Sequence, residues 1–351
     1  MLDINDIASQ VKYNCNISDA RYWGFYSPCG LLMRMRDLYR SENSLKPWDK
    51  IKKEDVSEWI GERERLWSRF EPLDLSNIKI MGKGYKPFDV KGINSRLLEE
   101  GYLYAAGYGS LLKPFFMLSE VNSVSRYGRY KVYITGRELA RDLSTSPAML
   151  QGDTIIARRE AMGFFLWGKF EEVGQRGGDS ILSHAFREFG LLRDEPSHDI
   201  EEGFERLIQD EIETYIHHEL GEASQRMVLG RWWKELLMSL PYSRAELFIR
   251  AVKDILSDTC DKGMLKHIIK NKKRASLILY IALLSGYRRS IFPEIITAYN
   301  EFRQRDDWSI IEDARIKGYK KMRGYISIIR EMANRGETSV RDIEGKLLFN
   351  R

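Results

Sequence analysis

The stretch YLYAAGYGSLLKPFFMLSEVNSVSRYGRYKVYITGRELARDL, residues 102–143, decides the fold class. Tyr102 to Ala106 and Tyr130 to Thr135 read as short strands. In the second, Tyr130, Val132 and Ile134 alternate with Lys131, Tyr133 and Thr135, the two-residue period of a pleated backbone. Each strand is expected to lead into a helix, Ser110 to Val121 and Arg137 to Leu143 respectively. Thr135 and Glu138 stand at capping-box spacing for the second helix. Pro114 fits poorly inside the first, because proline lacks an N–H and its ring clashes with the preceding turn. The alternative there is a strand over Phe115 to Leu118.

Outward from this stretch, Ile78 to Met81 and Thr154 to Ala157 supply two further strands, followed by helices over Val90 to Glu99 and Arg159 to Val173. Strands that alternate with helices form βαβ units, so residues 74–175 are expected to hold a small, mainly parallel four-stranded sheet with flanking helices. Residues 1–73 read as a helical segment. Ser27 and Pro28 are an N-cap and first-turn proline ahead of a helix over Gly30 to Tyr39. Val56, Trp59, Ile60, Leu66, Trp67 and Phe70 recur at helical spacing between Glu54 and Phe70. Residues 176–351 read as a helical domain, with start signals at Asp199 and Glu202, at Ser243 and Glu246, and at Phe292-Pro293. The fold class is therefore α/β plus all-α, in three parts.

Composition narrows the function classes. With 43% hydrophobic and 30% charged residues, the 351-residue chain has the apolar surface that disordered chains lack. No apolar run approaches the roughly 20 residues that span a bilayer, which predicts no membrane partner. Three cysteines, Cys15, Cys29 and Cys260, are too few and too unevenly spaced for a disulfide framework, so a cytoplasmic location is expected. Charge is segregated. Residues 261–335 hold 17 Lys/Arg against 8 Asp/Glu, whereas residues 194–222 hold 11 Asp/Glu against Arg206 alone. Such blocks mark either a surface for nucleic acid or two regions of one chain that pair.

Four groups of residues are candidates for chemistry. In an open parallel sheet, ligands bind where strands feed helix N-termini, whose free N–H groups favour anions. The four expected junctions contain Gly82-Lys83-Gly84, Gly107-Tyr108-Gly109-Ser110, Thr135-Gly136-Arg137 and Arg158-Arg159. Lys83, Gly107, Gly109, Gly136, Arg137, Arg158 and Arg159 are therefore candidates to bind a phosphorylated small molecule or nucleotide. Ordinary turns and solvated cations explain the same residues, and an antiparallel arrangement would scatter the junctions. No dinucleotide fingerprint or Walker sequence is present, so no cofactor is indicated.

The second group, Glu211, His218 and Glu222, lies along one margin of the apolar stripe Phe204, Ile208, Ile212, Tyr215 and Ile216, with Glu219 near its middle. Such a set can ligate a divalent metal or serve as acid and base. Ion pairing with the basic C-terminal region accounts for it equally well. Cys29 is the third, in a helix first turn that can lower a thiol pKa, although packing explains a cysteine as readily. The fourth is basic: Lys266, Lys270, Lys272, Lys273 and Arg274, then Arg315, Lys317, Lys320, Lys321 and Arg323 interleaved with Tyr319 and Tyr325. Cations with interleaved aromatics suit RNA or single-stranded DNA.

The stretch from Cys15 through Trp23 and Cys29-Gly30-Leu31-Leu32 to Pro47-Trp48 resembles an uncharacterised bacterial protein family of unknown function. Thr135-Gly136-Arg137-Glu138 followed by Ser146-Pro147-Ala148-Met149 carries the same resemblance. It implies a bacterial cytoplasmic protein and assigns no activity to any residue.

Overall fold

The computed structural model describes residues 2–109, 112–176, 180–192, 200–241 and 243–348. These form two compact units. The first comprises residues 1–147 and 156–172, the second residues 148–155 and 173–351.

The first unit begins with three helices, α1 (Ile4–Tyr22), α2 (Pro28–Glu42) and α3 (Lys53–Phe70). Asp3 caps α1 by accepting from the Asn5 and Asp6 amides, and Ser27 caps α2 with Pro28 in its first turn, as its sequence predicts. A two-stranded antiparallel sheet follows, β1 (Ile78–Ile80) and β2 (Lys83–Tyr85), then α4 (Val90–Leu97). The main sheet contains β3 (Tyr102–Tyr108), β4 (Pro114–Tyr127), β5 (Tyr130–Arg141), β6 (Ala148–Gln151) and β7 (Thr154–Arg158), in the order β3-β4-β5-β7-β6. Helix α5 (Arg159–Arg176) continues directly from β7.

This corrects the expected four-stranded, mainly parallel sheet. The main sheet has five strands, and β4 pairs antiparallel with both β3 and β5. The segment expected as a helix over Ser110 to Val121 is strand from Pro114 onward; Ser110 itself is outside the described residues. Proline at a strand's first residue costs no ladder hydrogen bond, whereas inside a helix it breaks one. Arg137 to Arg141, expected as a helix, extends β5. The capping-box spacing of Thr135 and Glu138 misleads because Glu138 is turned into the core, 3% exposed, where a guanidinium neutralises it. Ile78 to Ile80 is a strand, but it belongs to the small sheet. The pairing of β4 with β5 slips register between Leu118 and Ser123. At Gly136, beside this irregularity, a Cβ would fall 2.2 Å from Asn122 Oδ1, so a larger residue there would displace the Asn122 side chain.

Ile7, Val11 and Cys15 of α1 pack on Tyr104, Phe116, Leu118 and Ala140 of the sheet, together with Ile78, Ile80, Ile93 and Leu97. Ala20, Met35, Leu38, Trp67 and Leu143 form a second cluster between α1, α2 and α3. Burying such side chains supplies the main stabilisation of the unit.

The second unit's helices are α6 (Ile181–Glu188), α7 (Ile200–Ser239), α8 (Arg244–Thr259), α9 (Met264–Lys270), α10 (Arg274–Leu283), α11 (Gly286–Ile291), α12 (Pro293–Arg305), α13 (Trp308–Asn334) and α14 (Val340–Leu347). Ser243 caps α8 by accepting from the Glu246 amide, and Pro293 opens α12. Asp199 lies outside the described residues. Helix α7 buries Phe204, Leu207, Ile208, Ile212, Ile216 and Leu220 at helical spacing, and is interrupted at Gly230, where φ is 68°. Its Gly221 lies against α8 so closely that a Cβ would be 2.3 Å from the Ser257 carbonyl oxygen.

Candidate functional site

The residues expected at the strand-to-helix junctions do not converge. Lys83 lies exposed in the small hairpin, its ammonium over the Tyr85 ring at 5.0 Å. Gly107 is within β3, and the Gly109 amide bonds the Lys113 carbonyl at 2.8 Å. Gly136 and Arg137 sit in the middle of β5, where exposed Arg137 donates to Ser44 Oγ at 2.8 Å. Arg159 begins α5.

Arg158 points inward and is 2% exposed. Its Nε and Nη2 donate to the two Glu138 oxygens at 2.7 Å each, and its Nη1 donates to the Ser144 and Ser146 carbonyls at 3.2 Å. This fork-to-fork pairing occupies most of the guanidinium's donors. The surrounding network is built mainly to hold residues 142–147. Arg34 Nη1 bonds the Leu143 carbonyl and Thr145 Oγ1 at 2.8 Å, Asp19 accepts the Leu143 amide, and Asp142 accepts the Ser144 amide at 2.7 Å. Lys113 Nζ lies 3.0 Å from both Asp19 and Asp142, all three side chains at most 8% exposed. Burial pushes Asp19 up to about 6 despite Lys113, while Lys113 and the Ser144 amide hold Asp142 below its ordinary value against burial. Burial and the Glu138 charge raise Glu160 to about 7, and it accepts from Ser41 Oγ and from the Glu138 amide. The cations of this network are committed to the protein's own backbone and carboxylates.

The proposed metal ligands also part company. Glu211 is buried and accepts from Ser276 Oγ of α10 at 2.5 Å. His218 and Glu222 face α8 instead: His218 Nδ1 is 2.6 Å from Asp258, its Nε2 is 3.6 Å from Glu222, and Lys253 bonds Glu222 at 2.5 Å. Asp258 and Glu222 raise His218 well above its ordinary pKa against burial, which makes it an imidazolium rather than a metal ligand or base. Among the described residues no three His, Cys, Asp or Glu side chains are placed to hold a metal ion. His217 stacks on His267 at 4.0 Å.

Burial raises the Glu211 carboxyl to about 7, with Ser276 and Lys273 opposing. Between pH 4.5 and 7 the folded chain thus keeps a proton that the unfolded chain has lost, so stability falls as pH rises through that window. Glu211→Gln is expected to be more stable than the native chain at pH 8 by about 3 kcal/mol, and not at pH 4. Urea unfolding at the two pH values checks this, and an equal effect at both would refute it.

Cys29 is exposed and Cys15 buried, where desolvation pushes its thiol well up. Much of the basic C-terminal block is paired: Lys266 with Glu312, Lys273 with Asp210 and Glu213, Lys321 with Glu294, and Arg315 with Glu312 and Asp261. The acidic and basic blocks thus meet at Lys273.

One cleft is lined by cations from three helices. His184, Arg187 and Glu188 of α6, Arg274 and Ile278 of α10, and Tyr299, Phe302 and Arg303 of α12 line a space of about 320 Å³. Ile278, Tyr299 and Phe302 are its buried apolar wall, and exposed Arg187, Glu188 and Arg303 stand at its rim. Arg274 is braced by Asp306 at 2.6 Å and Glu188 at 3.8 Å, with its guanidinium 5.4 Å from the Phe302 ring centroid. It is also the first residue of α10, whose N-cap, Lys273, makes no side-chain capping bond. A cation at that end of a helix is unfavourable, so an anion there gains from both the helix and the guanidinium. Burial raises the Tyr299 phenol, opposed by Arg303 and Arg274, so its hydroxyl stays protonated at neutral pH. Sequence reasoning found only Arg274, as part of a basic run. Arg187 and Arg303 lie on other helices, and no spacing links them.

Residues 6–158 match the N-terminal domain, and residues 163–347 the C-terminal domain, of a family of unknown function, DUF6866. The chain belongs to the DUF6866 family. No curated protein and no solved structure matches it. The DUF6866 C-terminal domain contains the described lining of the arginine-lined cleft, while Lys113, Glu138 and Arg158 of the buried network fall within the N-terminal domain. No helix among the described residues is long and apolar enough to cross a membrane.

Proposed function

We propose that this chain binds a small phosphate-bearing ligand, and that the site is the arginine-lined cleft of the helical unit rather than the strand-to-helix junctions. The observation that carries this is that three arginines from three helices line one small cleft, with Glu188 the sole carboxylate among the described residues of its lining. Arginine forks match phosphate oxygens, and charge-assisted bonds are about twice as strong as neutral ones. Arg274 is already oriented by Asp306 and Phe302, so little side-chain entropy is lost when an anion docks. Titration calorimetry with inorganic phosphate tests the proposal. Saturable binding is expected with a Kd at or below roughly 1 mM, equivalent to about −4 kcal/mol. Absence of saturation in that range would sink it.

A further inference from the structure

We propose that the ligand of this cleft is the phosphate monoester of a small hydroxylated molecule, and not a nucleic-acid phosphodiester. This rests on the reading of the cleft as a phosphate site. The first support is the set of donors. Arg187, Arg274 and Arg303 are supplied to the lining by three different helices, α6, α10 and α12. A terminal phosphate offers three non-bridging oxygens and a charge of about −1.5 to −2 at neutral pH, whereas a phosphodiester offers two such oxygens and a single charge.

Size points the same way. A cleft of about 320 Å³ is at the small end of ligand pockets. It suits one phosphate and a few carbon and oxygen atoms, not successive nucleotides. Single-stranded nucleic acids are held along extended grooves by bases stacked on accessible aromatic faces. The aromatic residues here, Tyr299 and Phe302, are 2% and 1% exposed, so neither offers a face for stacking.

Glu188 supplies the remaining element. Its carboxylate stands on the rim, 3.8 Å from Arg274 Nε and 45% exposed, where it can accept a hydrogen bond from a ligand hydroxyl. It would also repel a second anionic group. Phosphate at the guanidiniums and a hydroxyl at Glu188 together describe a small polyol phosphate.

Titration calorimetry on the full chain tests this with three probes: glycerol 3-phosphate, inorganic phosphate and a short oligothymidylate lacking terminal phosphates. Glycerol 3-phosphate is expected to bind about tenfold more tightly than either other probe, the worth of one hydrogen bond to a charged group. In Glu188→Leu its advantage over inorganic phosphate should fall to near parity. An oligothymidylate that binds as well as the monoester, or a monoester no better than inorganic phosphate, overturns the ligand class. If that binding still depends on Arg303, the cleft remains the phosphate site and the class alone is wrong. If no probe's binding depends on Arg303, both readings fall together.

Discussion

Lys113→Met is expected to destabilise the N-terminal unit strongly at neutral pH and to loosen its packing. The substitution leaves Asp19 and Asp142, each with its side chain 2% exposed, without the ammonium that lies 3.0 Å from both. Removing one partner of a buried ion pair costs about 3–5 kcal/mol, against total stabilities of about 5–15 kcal/mol for a domain. The loss also releases the segment 142–147, since Asp19 and Asp142 hold the Leu143 and Ser144 amides. Near-UV circular dichroism and limited proteolysis measure the outcome. The companion variant Lys113→Met, Asp19→Asn, Asp142→Asn separates charge from shape, because asparagine oxygens still accept those amides. It should recover most of the native signal. A single variant that folds like the native chain would show that the triad is not what secures this region.

The second large effect concerns binding. Arg187→Glu combined with Arg303→Glu is expected to weaken phosphate binding at least about a hundredfold, since each charge-assisted bond is worth roughly 1.5–3 kcal/mol and each reversal adds repulsion. Both side chains are exposed, so the C-terminal unit should stay folded, which circular dichroism checks. Unchanged affinity, or lost affinity with an unfolded C-terminal unit, would each tell against the assigned roles.

Much of the helical framework was readable because its signals are local. Ser27-Pro28 opens α2, Ser243 caps α8, and the spacing of Val56, Trp59, Ile60 and Trp67 marks α3. The sheet was misread for equally physical reasons. Residues Asn122 to Arg126 of β4 are solvent-exposed and, apart from Val124, polar, so no alternating apolar pattern signals that half of the strand. In β5, buried Thr135, Glu138 and Arg141 interrupt the apolar alternation, and only the fold reveals that Arg158 satisfies the carboxylate. Consequently Arg158, read as a ligand-binding cation, turned out to be spent on Glu138 and the backbone. The cleft was illegible for the opposite reason. Its arginines belong to helices separated in sequence, and each alone is an ordinary surface cation.

The most direct test compares two variants by titration with inorganic phosphate: Arg303→Glu in the cleft and Arg137→Glu at the exposed position of β5. The account predicts that the first loses phosphate binding and the second retains native affinity. Loss in Arg137→Glu with native affinity in Arg303→Glu would return the anion site to the sheet and contradict it.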